Sequence, residues 1–70
     1  MLTIYSKQNC PQCVAAKNKL AAANISFTEI RVDLDTAARN MLVEAGHRSV
    51  PVIYKDGVCV ELEVVLNKEI

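Results

Sequence analysis

The sequence predicts an α/β domain with one four-stranded mixed sheet and three helices, in the order β-α-β-α-β-β-α. Three observations predict this fold class. Apolar runs of strand length alternate with Ala-rich or amphipathic runs of helix length. The first three elements have the order of a right-handed parallel crossover, and an Asp-Gly pair between two later apolar runs is typical of a hairpin. A chain of 70 residues holds one small domain, which we take as residues 1–70.

The first half of the chain predicts two strands with a helix between them. Leu2–Tyr5 is an apolar run of strand length, and Pro11–Asn24 is rich in Ala, Lys and Leu, which favour a helix. Phe27–Val32 alternates between apolar and polar residues, as a strand with one wet face does. We expect Glu29 and Arg31 on the wet face, and we place this strand at an edge of the sheet.

The second half predicts another helix, followed by a hairpin. Asp33 or Asp35 can cap the helix, and Gly46 can end it. The residues at core spacing in this helix are Ala38, Met41, Leu42 and Ala45. Val50–Tyr54 and Val58–Val60 then flank the Asp-Gly turn as two strands.

The last predicted element is a short helix that begins at Glu61. It turns Leu62, Val65 and Leu66 inward and has Lys68 near its end. The complete order places helices on both faces of the sheet. Ligand sites of such sheets lie beyond the carboxyl ends of the strands, so we expect the functional site just after the first strand.

Cys10 and Cys13 stand in that position, as a pair separated by two residues at the start of the first helix. Two thiols at this spacing can close a disulfide ring, which favours thiol–disulfide redox chemistry. Pro11 suits the first helical position, and the N–H groups and dipole of the helix start stabilise a thiolate at Cys10. Cys13 shares a helix stripe with Ala16 and Leu20. We therefore expect an exposed, attacking Cys10 and a buried, resolving Cys13.

A metal site is the alternative interpretation of the same pair. A structural zinc ion needs four ligands, and Cys59 and His47 could complete the set. A proline inside the pair favours redox chemistry, so we expect no metal and no organic cofactor. Cys59 alternates with valines in the last strand, which predicts a small buried core residue. His47 is expected to be a loop residue near the cysteines.

Charge and composition exclude several other classes of function. Eight basic residues balance eight acidic ones, so no electrostatic argument supports a nucleic acid or an anionic membrane as partner. We see no basic leader with an apolar run and no apolar stretch long enough to span a membrane. Three cysteines are too few for a disulfide framework. We therefore expect a cytoplasmic protein, and a monomer.

Three segments, Ile4–Lys7, Cys10–Val14 and Arg48–Pro51, stand in an order that resembles the glutaredoxins and their close relatives, the NrdH redoxins. The resemblance implies a thioredoxin-like fold and a small dithiol–disulfide oxidoreductase with a redox-active Cys10–Cys13 disulfide. It also implies a cis Val50–Pro51 bond that presents the Val50 backbone to an extended substrate segment. The implied substrate-binding residues are Lys7, Pro11, Gln12, Arg48, Ser49, Val50 and Pro51.

The resemblance leaves the electron donor open. Gly46–Pro51 is similar to NrdH redoxins. Val60–Glu63 lacks the Gly-Gly pair and the Asp with which glutaredoxins hold glutathione. The Trp-Ser-Gly-Phe segment of NrdH redoxins is missing as well. Thioredoxin reductase and glutathione are both candidate reductants, and Lys7 could attract glutathione or an acidic partner tail. The implied substrate is a protein disulfide, with ribonucleotide reductase in deoxyribonucleotide synthesis as the candidate. An iron–sulfur or other metal-binding module is the alternative of another class.

Overall fold

The computed structural model describes residues 2–66 of the chain. Its elements are β1 (Leu2–Ser6), α1 (Pro11–Ala22), β2 (Thr28–Arg31), α2 (Thr36–Glu44), β3 (Val52–Lys55), β4 (Val58–Val60) and α3 (Leu62–Leu66). Their order is the predicted one. The predicted place of Lys68 near the end of the last helix lies outside the described residues. No helix within residues 2–66 is long and apolar enough to cross a membrane.

The four strands form one mixed sheet in the order β2-β1-β3-β4. β1 is parallel to β2 and antiparallel to β3, and β3 is antiparallel to β4. This arrangement confirms the predicted crossover, the hairpin and the edge position of β2. Asp56 and Gly57 have φ values of +52° and +86°, the positive angles that a type I′ hairpin turn requires.

The hydrophobic core lies between one face of the sheet and the helices α1 and α3. Leu2, Ile4 and Ile53 from the sheet pack with Ala16 and Leu20 from α1. Partly buried residues that pack against this cluster are Ile25, Phe27, Val60, Leu62, Val65 and Leu66. They include the three α3 residues predicted to face inward. The opposite face is more open, because its residues Thr3, Tyr5 and Tyr54 are only partly buried.

The ends of α1 follow from its terminal residues. Cys10 is the N-cap in an extended conformation, and Pro11 takes the first helical position. The helix ends at Ala22, two residues before the predicted end. Asn24 has a φ of +59°, in the left-handed region that Asn tolerates better than most residues, so the chain turns there.

The two candidate caps of α2 have different roles. Asp35 is the N-cap, because its carboxylate accepts a hydrogen bond from the Ala38 N–H at 3.0 Å. Asp33 instead forms a bidentate pair with Arg31, with N–O distances of 2.8 and 2.6 Å. Gly46 ends the turn after α2 with a φ of +91°, as predicted.

Three predictions about which residues face the core are wrong. Glu29 is exposed as predicted, but Glu29 and Arg31 share the α1 face with Ile4 and Ser6, because parallel partners point the same way. Met41 is 40% exposed, since α2 has nine residues and buries one of them, Leu42. The predicted core residue Ala45 is exposed as well.

The prediction that Cys59, the third cysteine of the chain, is buried is also wrong. The structure places it in β4 as an exposed free thiol. β4 is an edge strand of three residues, and Cys59 lies beside Tyr54 on the more open face of the sheet. The alternation along the strand was therefore interpreted correctly, but Cys59 was assigned in error to the face that packs in the core.

Candidate active site

Cys10 and Cys13 lie at the junction of β1 and α1 and form a disulfide with their Cα atoms 5.2 Å apart. The loop between β1 and α1 is short, and Asn9 turns it with a φ of +58°. Because Cys10 is the N-cap, the Cys13 N–H donates a hydrogen bond to the Cys10 Sγ at 3.1 Å. A donor in this position stabilises negative charge on that sulfur, as expected for an attacking thiolate.

The difference in exposure between the two cysteines is smaller than predicted. Cys13 is 1% exposed and Cys10 only 6%, so both are buried. The Val50 carbonyl oxygen lies 3.9 Å from the Cys10 Sγ, in a part-buried contact. A reacting partner must therefore reach the sulfur beside the loop that carries Val50.

This loop, residues 46–51, joins α2 to β3. Its Val50–Pro51 peptide bond is cis, as the resemblance implies. His47 ties the loop to the sheet, because its Nε2 atom lies 3.1 Å from the Tyr54 hydroxyl oxygen and the two rings meet edge to face. Tyr54 also packs edge to face against Tyr5, with ring centroids 5.7 Å apart.

One groove runs between this loop and the end of α2, with a volume of about 620 Å³. We call it the cationic groove, because Lys7, Arg39 and Arg48 line it together with Val50. None of its described lining residues is an Asp or Glu. An anionic ligand in this groove would lie next to Val50, the residue whose carbonyl oxygen is 3.9 Å from the Cys10 Sγ.

A second groove, which we call the β4 groove, lies on the other side of the same loop and has a volume of about 600 Å³. Pro51, Cys59 and Glu61 line it, and Arg48 borders both grooves. Within residues 2–66, Glu61 is the one acidic residue that lines either groove. The two grooves therefore differ in charge.

A polar cluster of Ser6, Lys17 and Glu29 lies at the end of β1. The fully buried Ser6 donates its hydroxyl hydrogen to the Glu29 Oε2 atom at 2.6 Å, and Lys17 Nζ lies 2.8 Å from the same oxygen. The hydrogen bond from Lys17 and, after it, the one from Ser6 lower the pKa of Glu29. The cluster links the end of β1 to β2 and α1.

A second polar contact lies just after β2. The Arg31 side chain donates two hydrogen bonds to the Asp33 carboxylate, at 2.8 and 2.6 Å. The hydrogen bonding by Arg31 is the main cause that lowers the pKa of Asp33.

The structure places most of the predicted substrate-binding residues in the two grooves beside the loop that carries Val50. Those that line one or both grooves are Lys7, Arg48, Ser49, Val50 and Pro51. Pro11 and Gln12 are exposed on the first turn of α1. Their roles in binding stay predictions.

Sequence reasoning missed Arg39. It considered Glu61 as the start of the last helix and as part of the Val60–Glu63 segment, which lacks the residues that hold glutathione, but not as a substrate-binding residue. Arg39 borders the core stripe of α2, directly after Ala38 and three residues before Leu42. That spacing turns it toward the edge of the sheet where Lys7 follows β1, and this was the available signal.

The alternative metal site finds no matching geometry among the described residues. Within residues 2–66, no three His, Cys, Asp or Glu side chains are grouped so that they could hold a metal ion. Cys59 and His47 line the β4 groove and do not form a cluster with the cysteine pair. That the protein uses no metal or cofactor stays a prediction.

Comparison with known proteins identifies the family. The family model described as Glutaredoxin matches residues 2–60. The glutaredoxin-like protein NrdH of Lactococcus lactis subsp. cremoris is 43% identical over 56 residues, which are 80% of this chain and 78% of that protein. Glutaredoxin 3 of Escherichia coli is 39% identical over 54 residues, 76% of this chain and 65% of that protein. The solved NrdH-redoxin of Escherichia coli has the same thioredoxin-like fold, with a TM-score of 0.86 and 26% identity over 99% of this chain and 93% of that one. The chain belongs to the glutaredoxin family.

Proposed function

We propose that the protein is a dithiol–disulfide oxidoreductase that reduces protein disulfides through Cys10 and Cys13. The observation that carries the proposal is the N–H of Cys13 directed at the Cys10 Sγ at the start of α1. This geometry favours the thiolate of the first cysteine and keeps the second within disulfide distance. Family membership supports the same chemistry.

The proposed reaction has two exchange steps. The Cys10 thiolate attacks one sulfur of the substrate disulfide, and the other substrate sulfur leaves as a thiolate that takes up a proton. The Cys13 thiol then loses its proton and attacks the Cys10 Sγ, which releases the second substrate sulfur. Two electrons pass from the cysteine pair to the substrate, and the Cys10–Cys13 disulfide remains.

The loop beside Cys10 supports a protein substrate. The Val50 carbonyl lies next to the reactive sulfur, where an extended substrate segment could pair with it. The resemblance to NrdH redoxins makes a ribonucleotide reductase the candidate substrate. A cytoplasmic location belongs to the same proposal, because a reducing compartment keeps the pair in its dithiol form.

Two electron donors are candidates, and thioredoxin reductase is the first. The NrdH-redoxin of Escherichia coli has a thioredoxin-like activity profile, and this chain covers 93% of it. Glu61 and Glu63 at the start of α3 also disfavour a bound carboxylate there. Glutathione is the second candidate, because the cationic groove beside Val50 suits a carboxylate.

The experiment follows the reduction of insulin disulfides with each donor as the sole source of electrons. One reaction contains thioredoxin reductase and NADPH, and the other contains glutathione, glutathione reductase and NADPH. We expect turnover with the first donor, and none in the Cys10→Ser variant with either donor. Retained turnover in Cys10→Ser would overturn the proposal. Turnover with glutathione alone would select the second donor.

A further inference from the structure

We propose that Glu61 is a specificity-determining residue that favours substrates with a cationic group next to the cysteine under attack. The inference rests on the proposed function, because it concerns the substrate segment that docks beside Cys10. It assigns a preferred chemistry to the β4 groove. The substrate class is an extended peptide segment with a Lys or an Arg on one side of its cysteine.

The position of Glu61 follows from the fold. Its carbonyl oxygen accepts hydrogen bonds from the N–H groups of Val64 and Val65 at 3.1 and 3.3 Å, so its backbone is fixed at the start of α3. Its residue lines the β4 groove together with Pro51. Glu61 is thus placed at the β4 groove, whose lining residue Pro51 directly follows Val50.

The charge of Glu61 is available to a ligand. Glu61 is exposed, and within residues 2–66 its carboxylate forms no ion pair, not even with Arg48, which borders the same groove. A carboxylate that already forms an ion pair inside the protein would interact only weakly with a charge on the substrate. An open carboxylate instead attracts a cation and repels an anion.

The two grooves together give the site a direction. A substrate segment that crosses the loop near Val50 has Lys7 and Arg39 on one side and Glu61 on the other, and Arg48 borders both sides. A single segment can satisfy both only if its charges are arranged in the matching order. We therefore expect a cationic flanking residue to be favoured on one side of the substrate cysteine and an anionic one to be favoured on the other side.

The test uses six short peptides with blocked termini and one cysteine each, as symmetric disulfides. A single Lys, Glu or Gln stands two residues before or two residues after the cysteine. Pre-reduced protein in excess reduces each disulfide, and chromatography gives the rate. Each rate is divided by the rate with dithiothreitol, which removes the effect of the charge on the disulfide itself.

At one of the two positions we expect the Lys peptide to react about threefold faster than the Glu peptide, the size typical of an exposed ion pair. Glu61→Gln should abolish this preference, and Glu61→Lys should invert it. Glu63→Gln is the matched control, because Glu63 is exposed and lines neither groove. It should keep the preference.

The outcomes separate this inference from the proposed function. Equal rates for Lys and Glu at both positions, or a preference that survives Glu61→Gln, would overturn the role of Glu61 while leaving disulfide reduction intact. Failure of the wild-type protein to reduce any of the peptides, the Gln peptides included, would overturn the proposed function and this inference with it.

Discussion

The β1–α1 junction and the edge strand β4 both carry cysteine, and they give the same side chain very different surroundings. At the junction, Cys10 and Cys13 are buried and close enough to form a disulfide. In β4, Cys59 is exposed and free. The thiol that we propose as reactive is thus a buried one, and the accessible thiol is a different residue.

The two regions differ in the structural features that prepare a sulfur for thiol–disulfide exchange. Cys10 has a backbone N–H donor from the first turn of α1 and the Val50 carbonyl at its side. Within the described residues, no hydrogen bond reaches the Cys59 sulfur and no helix begins at it. Thiolate stabilisation and a neighbouring resolving thiol, rather than exposure, therefore distinguish the two regions.

The largest effect is expected for Cys13→Ser, which removes the proposed resolving thiol. Without the resolving thiol, the mixed disulfide between Cys10 and the substrate should accumulate, because the second exchange step is lost. Mass spectrometry under non-reducing conditions measures the adduct after reaction with a disulfide peptide. The control is Cys59→Ser, which should accumulate none. Adduct formation at Cys59 in place of Cys10 would contradict the account.

The next effect tests whether the junction depends on the core beneath it. Leu20 is fully buried and shares its helix stripe with Cys13. Leu20→Ala should lower the free energy of unfolding by about 2 to 4 kcal/mol, the cost of a large-to-small change in a packed core. Val14→Ala, at a half-exposed position of the same helix, should change it by less than about 0.5 kcal/mol. Urea denaturation measures both, and equal losses would show that α1 is not anchored as described.

A smaller effect concerns the polar cluster at the end of β1. Lys17 and Ser6 lower the pKa of Glu29 in the folded protein, so its ionised form stabilises the fold above the pKa of the unfolded chain. This contribution should be lost as the pH falls through the lowered pKa. Glu29→Gln should therefore destabilise the protein at pH 7 by less than about 1 kcal/mol, and by a smaller amount in acid. Unfolding curves at both pH values check the sign, and a penalty that grew in acid would be inconsistent with it.

The smallest effect is expected at β4. Cys59→Ser removes an exposed thiol from an edge strand, so the free energy of unfolding should change by less than about 0.5 kcal/mol. The rate of insulin reduction should stay that of the wild type. A large loss of turnover would place Cys59 in the reaction and remove the contrast between the two regions.

The parts of the fold that the sequence predicted correctly depend on neighbouring residues. Pro11 at the helix start, Gly46 at the helix end and the Asp-Gly turn each impose a local backbone geometry. The Cys10–Cys13 pair could be placed for the same reason. These features hold whatever the rest of the chain does.

The incorrect predictions depend on contacts between distant elements. Alternation predicted correctly that successive residues of a strand lie on opposite faces of the sheet. Which face Cys59 and Glu29 occupy, however, depends on where the helices pack. The small exposure of Cys10 likewise results from Val50, which lies 40 residues further along the chain. The charge difference between the two grooves arises in the same way, because Arg39 and Glu61 meet the site only in the folded chain.

The most direct test of the account counts which thiols are oxidised when the protein reduces a disulfide. Reduced protein reacts once with a disulfide substrate, the reaction is stopped with acid, and the free thiols are alkylated for mass spectrometry. The account predicts one Cys10–Cys13 disulfide for each substrate disulfide lost, with Cys59 fully alkylated. Substrate loss with Cys10 and Cys13 still alkylated, or with Cys59 in a disulfide, would contradict it.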